Sequence, residues 1–319
     1  MRRLGPLALL ALVVLAGCGG TSSDRPSAPG AVDVVATTTV LGDLARAVGG
    51  REVDVHQLLQ PNSDPHDYEP RPDDVVAVSR ARLVLTSGDG LDAWSADVVS
   101  QAGGDPRVLD VGAHVPIARD GEGGDRDPHW WHDARNAAAA VVAIRDVLVR
   151  ARPAARAGYE RRAAAYLRRL RALDSAIGRC VATIPPARRV LVTDHDAFGY
   201  FADRYRIRIV GTVIPSLTTQ AQPSAGDLAE LVRTIERERV ETVFSERSVN
   251  AKLARAVAEE SDPAHPARVD DSLYGDALGP AGSDGATYLA MEAHNVDAIV
   301  RGLGGGRGCP AALAVATPL

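Results

Sequence analysis

Tyr166-Leu167-Arg168-Arg169-Leu170-Arg171-Ala172-Leu173-Asp174-Ser175-Ala176-Ile177 lies inside a run from Ala154 to about Ile184 that is rich in Ala, Arg and Leu. Tyr166, Leu167, Leu170, Leu173 and Ile177 recur at three- and four-residue spacing, which is one face of a helix. Pro153 marks the near boundary and Pro185-Pro186 stops the run. A helix of about 30 residues would be roughly 45 Å long, enough to traverse a whole domain.

The chain on either side of this helix alternates strands and helices. Val32 to Ala36 is a β-branched run, followed by a helical pattern from Leu41 to Val48 that Gly49-Gly50 stops. Strands are expected at Val53–Leu59, Leu83–Thr86 and Val108–Val111, with helices at Asp73–Ser79, Leu91–Ala102 and Ala137–Val149. Beyond the prolines, strands are expected at Arg189–Thr193, Ile207–Ile214, Val243–Ser245 and Ala267–Val269. The helices there are Phe198–Tyr205, Gly226–Arg237, Asn250–Glu259 and Tyr288–Val300. This spacing predicts an α/β fold of two lobes, each a mostly parallel sheet flanked by helices, joined by one long rigid helix. The lobes take residues 32–152 and 186–303, the linker helix 153–185, and a structureless tail 304–319.

The N-terminus reads as a targeting segment. Arg2 and Arg3 precede an apolar stretch, Leu4 to Ala16, too short to span a bilayer. It ends Leu15-Ala16-Gly17-Cys18, which resembles a bacterial lipobox with Cys18 as the lipidated first residue after removal of 1–17. Residues 18–31 are then a flexible tether. The alternative is an ordinary signal peptide cleaved near Gly17. A lipid anchor puts the body on the cell surface or in the periplasm, where disulfides survive. Formal net charge is −5, with Lys252 the single lysine. No basic stripe with interleaved aromatics is present, so nucleic acid is not an expected partner.

Among eight histidines, His66, His129 and His195 stand near predicted loops or strand ends, as does Asp271. His56, His114, His265 and His294 have no such setting and read as surface or packing residues. Three imidazoles and one carboxylate suit a closed tetrahedral metal site, but candidates scattered over about two hundred residues do not select themselves. His-Asp pairs at 66–67, 132–133 and 195–196 leave a dinuclear metallohydrolase open. No G-x-S-x-G, H-E-x-x-H or Walker A motif occurs.

Four motifs narrow the choice: Asn62-Ser63-Asp64-Pro65-His66-Asp67-Tyr68-Glu69-Pro70, Asp127-Pro128-His129-Trp130-Trp131, His195-Asp196-Ala197-Phe198-Gly199-Tyr200 and Asp271-Ser272-Leu273. In this order they resemble the ligand-bearing motifs of the solute-binding proteins of zinc and manganese ABC transporters. Pro223 to Leu228 and Phe244-Ser245-Glu246 are similar to that family's second domain. The resemblance implies a metal buried between the lobes and held by His66, His129, His195 and Asp271, with Glu246 behind them. It implies a binding protein without catalysis, expected as a monomer, that hands its ion to an ABC permease in the cytoplasmic membrane. A third histidine favours Zn2+ over Mn2+, which prefers oxygen. Where many zinc members carry a His-rich loop, this chain has Asp120, Glu122, Asp125 and Asp127, read as a solvated acidic loop. His132 reads as a helix-surface histidine and Asp270 as a neighbour of the ligand.

With Cys18 lipidated, Cys180 and Cys309 remain. An even pair in an oxidising compartment favours a disulfide tying the tail to the second lobe; the alternative is two free thiols.

Overall fold

The computed structural model describes residues 27–121, 124–261, 266–304 and 306–317. Cys18, the targeting segment, Glu122 and His265 lie outside the described residues.

In the first lobe β1 (Val32–Ala36) leads into α1 (Thr39–Gly49), whose first turn is capped by the Thr38 hydroxyl accepting from the Leu41 N–H. There follow β2 (Val53–Gln57), α2 (Pro72–Arg80), β3 (Leu83–Thr86), α3 (Ser95–Ala102) and β4 (Arg107–Asp110). The four strands are all parallel in the order β2-β1-β3-β4. The chain moves outward from β1 in opposite directions, first to β2 and then to β3. This makes a switch point, and the crevice beyond the carboxyl ends of such strands is where α/β sheets take ligands. Helix α4 (Ala134–Ala151) closes the lobe.

The long helix is α5, Arg156–Val181, 26 residues and therefore about 39 Å long. It starts two residues later than expected and ends three earlier, because Pro153–Ala155 forms a separate 3-10 turn. Its buried stripe holds Tyr159, Ala163, Tyr166, Leu170, Leu173, Ile177 and Cys180, the face read from the periodicity, with Leu167 only partly covered. The helix grips both lobes. Arg162 donates to the Val48 carbonyl (2.8 Å) and pairs with Glu52 (2.7 Å), while Asp174 takes a forked pair of bonds from Arg204 (2.9 and 2.6 Å).

The second lobe contains β5 (Val190–Thr193), α6 (Gly199–Tyr205), β6 (Arg208–Thr212), α7 (Ala225–Glu238), β7 (Thr242–Glu246), α8 (Lys252–Ser261), β8 (Arg268–Leu273) and α9 (Tyr288–Gly302). Its strands form two parallel ladders, β5-β6 and β7-β8. Asp194, just past β5, joins the two: its Oδ2 accepts from the Ser245 hydroxyl (3.1 Å) and the Glu246 N–H (2.7 Å) on β7.

The expectation for 304–319 is corrected. Pro310–Ala316 forms a helix, α10, with Pro310 at its first turn. Cys309 is buried and bonded to Cys180 on α5. Arg169, also on α5, donates to the carbonyls of Val315, Ala316 and Thr317 (2.9, 3.0 and 3.1 Å). A cation at the carbonyl-bearing end of a helix satisfies groups with no partner inside it. The tail is therefore docked on the strut.

Candidate metal centre

His66 sits in a 3-10 turn, Pro65–Asp67, in the loop after β2. Pro65 opens the turn, and the Asp64 carboxylate accepts from the His66 N–H (2.8 Å). The other Asp64 oxygen takes a hydrogen bond from Thr219 of the second lobe (2.5 Å).

His129 stands five residues before α4, apart from the helix itself. A 3-10 turn, Trp130–His132, comes between, and α4 begins at Ala134 behind its Asp133 cap. What orients His129 is Asp127, whose Oδ1 accepts from the His129 N–H (2.9 Å) and lies 2.8 Å from ring Nδ1. With Nδ1 carrying the proton, Nε2 is left as a donor atom toward the centre.

His195 lies two residues past β5, at its carboxyl end. Its Nδ1 faces Glu246 Oε1 at 3.0 Å and Asp194 Oδ1 at 3.5 Å. The first is a close charge contact outside aligned hydrogen-bond geometry, since neither atom has a hydrogen-bond partner. Glu246, at the end of β7, therefore stands behind His195 rather than in the ring of donor atoms.

The fourth member is Asp276, not Asp271. Asp271 lies within β8, half exposed, and pairs with Arg255 of α8 at 2.6 Å. The physical reason is a bulge. Phe244 faces Asp270 and Glu246 faces Leu273, so β8 carries one residue more than β7 across that step. The alternation of faces is broken there, and Asp271 turns to solvent. The chain reaches the crevice only past the strand end, at Gly275-Asp276. Asn295 holds this turn by accepting from the Tyr274 N–H (2.9 Å) and donating to the Tyr274 carbonyl (2.7 Å). Trp131 of the first lobe donates to the Gly275 carbonyl (2.9 Å). Glycine at 275 lets the backbone lie against the Glu246 carboxylate, which a Cβ there would overlap. The rule that placed His195 just beyond a strand end would have pointed past Leu273 as well.

His66, His129, His195 and Asp276 thus converge, the last three fully buried. His129 Nε2 is 3.3 Å from Asp276 Oδ1, His195 Nε2 is 3.4 Å from Asp276 Oδ2, and His66 Nε2 is 3.5 Å from the same oxygen. His129 Nε2 and His195 Nε2 are 3.4 Å apart. A tetrahedral ion with bonds of about 2.0–2.1 Å separates its donor atoms by about 3.3–3.4 Å. Both Asp276 oxygens and His66 Nε2 are buried with no hydrogen-bond partner. Such atoms are costly to bury unless something else satisfies them, and a cation among them does so.

Electrostatics follow the geometry. Burial lowers the His129 ring, but Asp127 and Asp276 outweigh it and raise it to about 9. Burial likewise opposes charge on His195, and Glu246, Asp276 and Asp194 raise it well above the usual imidazole range. Burial works to raise Asp276, yet the surrounding imidazoles hold it well below the usual carboxylate range. Burial, reinforced by Asp194, raises Glu246 to about 8. The buried carboxylates thus favour positive charge at the His129 and His195 rings, the sign that a bound cation would bring.

Two further placements differ from expectation. His132 is buried, not on a helix surface: its Nδ1 is 2.8 Å from Glu292 Oε1 and its ring stacks on Phe198. Arg119 and Asp127, at the ends of the acidic loop, are bonded to each other at 2.9 Å. His56 and His114 are exposed, and His294 rests against Ser272 and Asp284.

Residues 34–302 match the family described as zinc-uptake complex component A, periplasmic. The chain is 33% identical over 299 residues to the manganese-binding lipoprotein MntA of Bacillus subtilis (strain 168), covering 92% of this chain and 97% of that one. It is 31% identical over 299 residues to the zinc-binding protein TroA of Treponema pallidum (strain Nichols), covering 92% and 96%. The solved structure of periplasmic zinc-binding TroA from Treponema pallidum superposes with a TM-score of 0.81 at 31% identity, over 86% of this chain and 99% of that one. Fe(III)-bound YtgA from Chlamydia trachomatis gives 0.76 at 28% identity, over 86% and 98%. Fold and sequence together define a substrate-binding protein of a metal ABC transporter. Within that class, the chain belongs to the periplasmic zinc-uptake component A family.

Proposed function

We propose that this protein captures Zn2+ outside the cytoplasmic membrane, anchored by lipid on Cys18, and delivers it to an ABC-type permease. His66, His129 and His195 supply Nε2 donors, Asp276 supplies the carboxylate, Asp127 fixes the His129 ring from behind, and the Glu246 charge stands behind His195. The observation that carries the reading is the set of 3.3–3.5 Å separations among these donor atoms, which suits zinc bonded to nitrogen and oxygen. Four protein donors close the tetrahedron and leave no position for an attacking water, which suits capture and release rather than hydrolysis. Among the described residues no helix is long and apolar enough to cross a membrane, so attachment in this reading rests on the lipid.

One observation favours Mn2+ as a second reading. Both Asp276 oxygens face imidazoles and neither is otherwise engaged, so the carboxylate can bind through both and raise the coordination number, as an oxygen-preferring ion requires. Native mass spectrometry with metal analysis on the full chain, purified in detergent without chelator, tests both. One zinc per chain that excess manganese does not displace supports the first reading. Displacement at equal concentrations supports the second, and no tightly held ion defeats both.

A further inference from the structure

The proposed centre accounts for why Asp127 touches His129, but not for what holds Asp127. Its Oδ1 is spent on the His129 N–H and ring. Its Oδ2 accepts from Arg119 Nη1 at 2.9 Å, and the Asp127 side chain is fully buried while Arg119 is one-quarter exposed. The same guanidinium reaches into the second lobe. Nη1 is 3.6 Å from Asp196, the residue after His195, and Nε is 3.4 Å from Asp203 on α6. It lies flat on the start of α6 at Gly199, where a Cβ would overlap it. The backbones are linked in parallel: the Tyr200 hydroxyl accepts from the Arg119 N–H (3.0 Å) and donates to the Asp127 carbonyl (3.1 Å).

Arg119, Asp127 and His129 belong to the first lobe; Asp196, Tyr200 and Asp203 belong to the second. We infer that Arg119 is a positioning residue for metal retention, an inference that rests on the proposed metal centre. Through Asp127 it fixes the His129 ring, and through Asp196 it ties that ring to the segment carrying His195. Asp203 is largely exposed, so its share is small. The single contact from Nη1 to the buried Asp127 carboxylate is the effective part, because a charge-assisted hydrogen bond to a buried group fixes direction as well as charge. Losing Arg119 leaves one oxygen of a buried carboxylate without its donor and lets Asp127 turn away from His129. Ion release then speeds up, while capture through the remaining ligands changes little.

The test is stopped-flow release of zinc to a chromogenic chelator, and zinc association, for the full chain and for Arg119→Gln and Arg119→Lys. Partners behind metal ligands are worth about 10–100-fold in affinity. The expected result is release at least about tenfold faster in Arg119→Gln, with association within about threefold and Arg119→Lys between the two. Slowed association with unchanged release would mark a distorted site and overturn the inference, as would release within twofold of the parent. Should Arg119→Gln not fold, Arg119→Lys decides: parental release overturns the inference and faster release supports it. If the parent itself holds no zinc, the proposed function fails; if the parent holds zinc and neither variant changes release, only the role of Arg119 fails.

Discussion

His129 and His195 enter the centre with a carboxylate behind the far ring nitrogen, whereas His66 enters with its turn held only at the backbone. The first two are fully buried. His66 lines a groove of about 1040 Å3 between the lobes, together with Asp89, Arg126 and Asp196. Among the described residues, its one ion-pair contact is with Asp276. The difference divides the three rings by how they are held. Two rings are backed by carboxylates in the interior; the third lines the groove between the lobes.

The largest effect expected is on the ligands themselves. Dividing the roughly 10–16 kcal/mol of a structural zinc site evenly over four donors gives about 10²–10³-fold weaker binding for each alanine substitution. His129→Ala, His195→Ala, His66→Ala and Asp276→Ala should all fall in that range by calorimetric competition titration. The comparison is sharpened by stability without metal. His129→Ala deprives buried Asp127 of one of its two side-chain partners and should cost about 1–3 kcal/mol, while His66→Ala should leave apo unfolding nearly unchanged. Equal destabilisation by both would break the distinction.

Next in size is pH. His129 is raised to about 9 in the metal-free site, so below that pH the ion must displace its proton. Affinity should therefore rise with pH up to about 9, roughly tenfold per unit for each proton displaced. His129→Ala should lower the slope by about one proton and leave the part due to His195, whose ring is also raised. The apo fold runs the other way. A ring raised in the folded state stabilises it fully below its ordinary value of about 6.5, and that contribution fades as pH passes through about 9. A flat affinity profile between pH 6 and 8 would show that neither buried ring holds a proton.

Smaller again are the groups behind the rings. Asp127→Asn and Glu246→Gln should each weaken zinc binding by about 10–100-fold. Asp64→Asn, which touches only the His66 backbone and Thr219, should cost about fivefold, the worth of one ordinary hydrogen bond. Smallest of all is Asp271→Ala. Its exposed pair with Arg255 is worth at most about 1 kcal/mol, and metal titration should not distinguish the variant from the parent. A loss comparable to that of Asp276→Ala would return Asp271 to the ligand set.

Much of the frame was legible in sequence because it is local. Leu170, Leu173 and Ile177 repeat on one helical face, and Pro153 and Pro185 bound the run, so α5 follows from a few residues at a time. Strand and helix periods alternate within short windows, and three histidines follow loop signals that stand beside them. Pairing of Cys180 with Cys309 followed from parity and compartment, although the helix that Cys309 anchors did not. Seven residues of α10 have little propensity to fold alone; contact with Arg169 and the strut forms them.

Tertiary structure decided what depends on how distant segments meet. Whether Asp271 or Asp276 reaches the crevice is set by the register of β8 against β7 and by the bulge between them, neither of which is written in β8 itself. Glu246 comes behind His195 across 51 residues only because β5 and β7 lie side by side. His132 is buried because Phe198 and Glu292 arrive from the other lobe to cover it. The residue types for a metal centre belong to the sequence. Which carboxylate joins the three histidines belongs to the fold, because a side chain's place is fixed by strand ends and interlobe packing, and these are long-range properties of the folded chain.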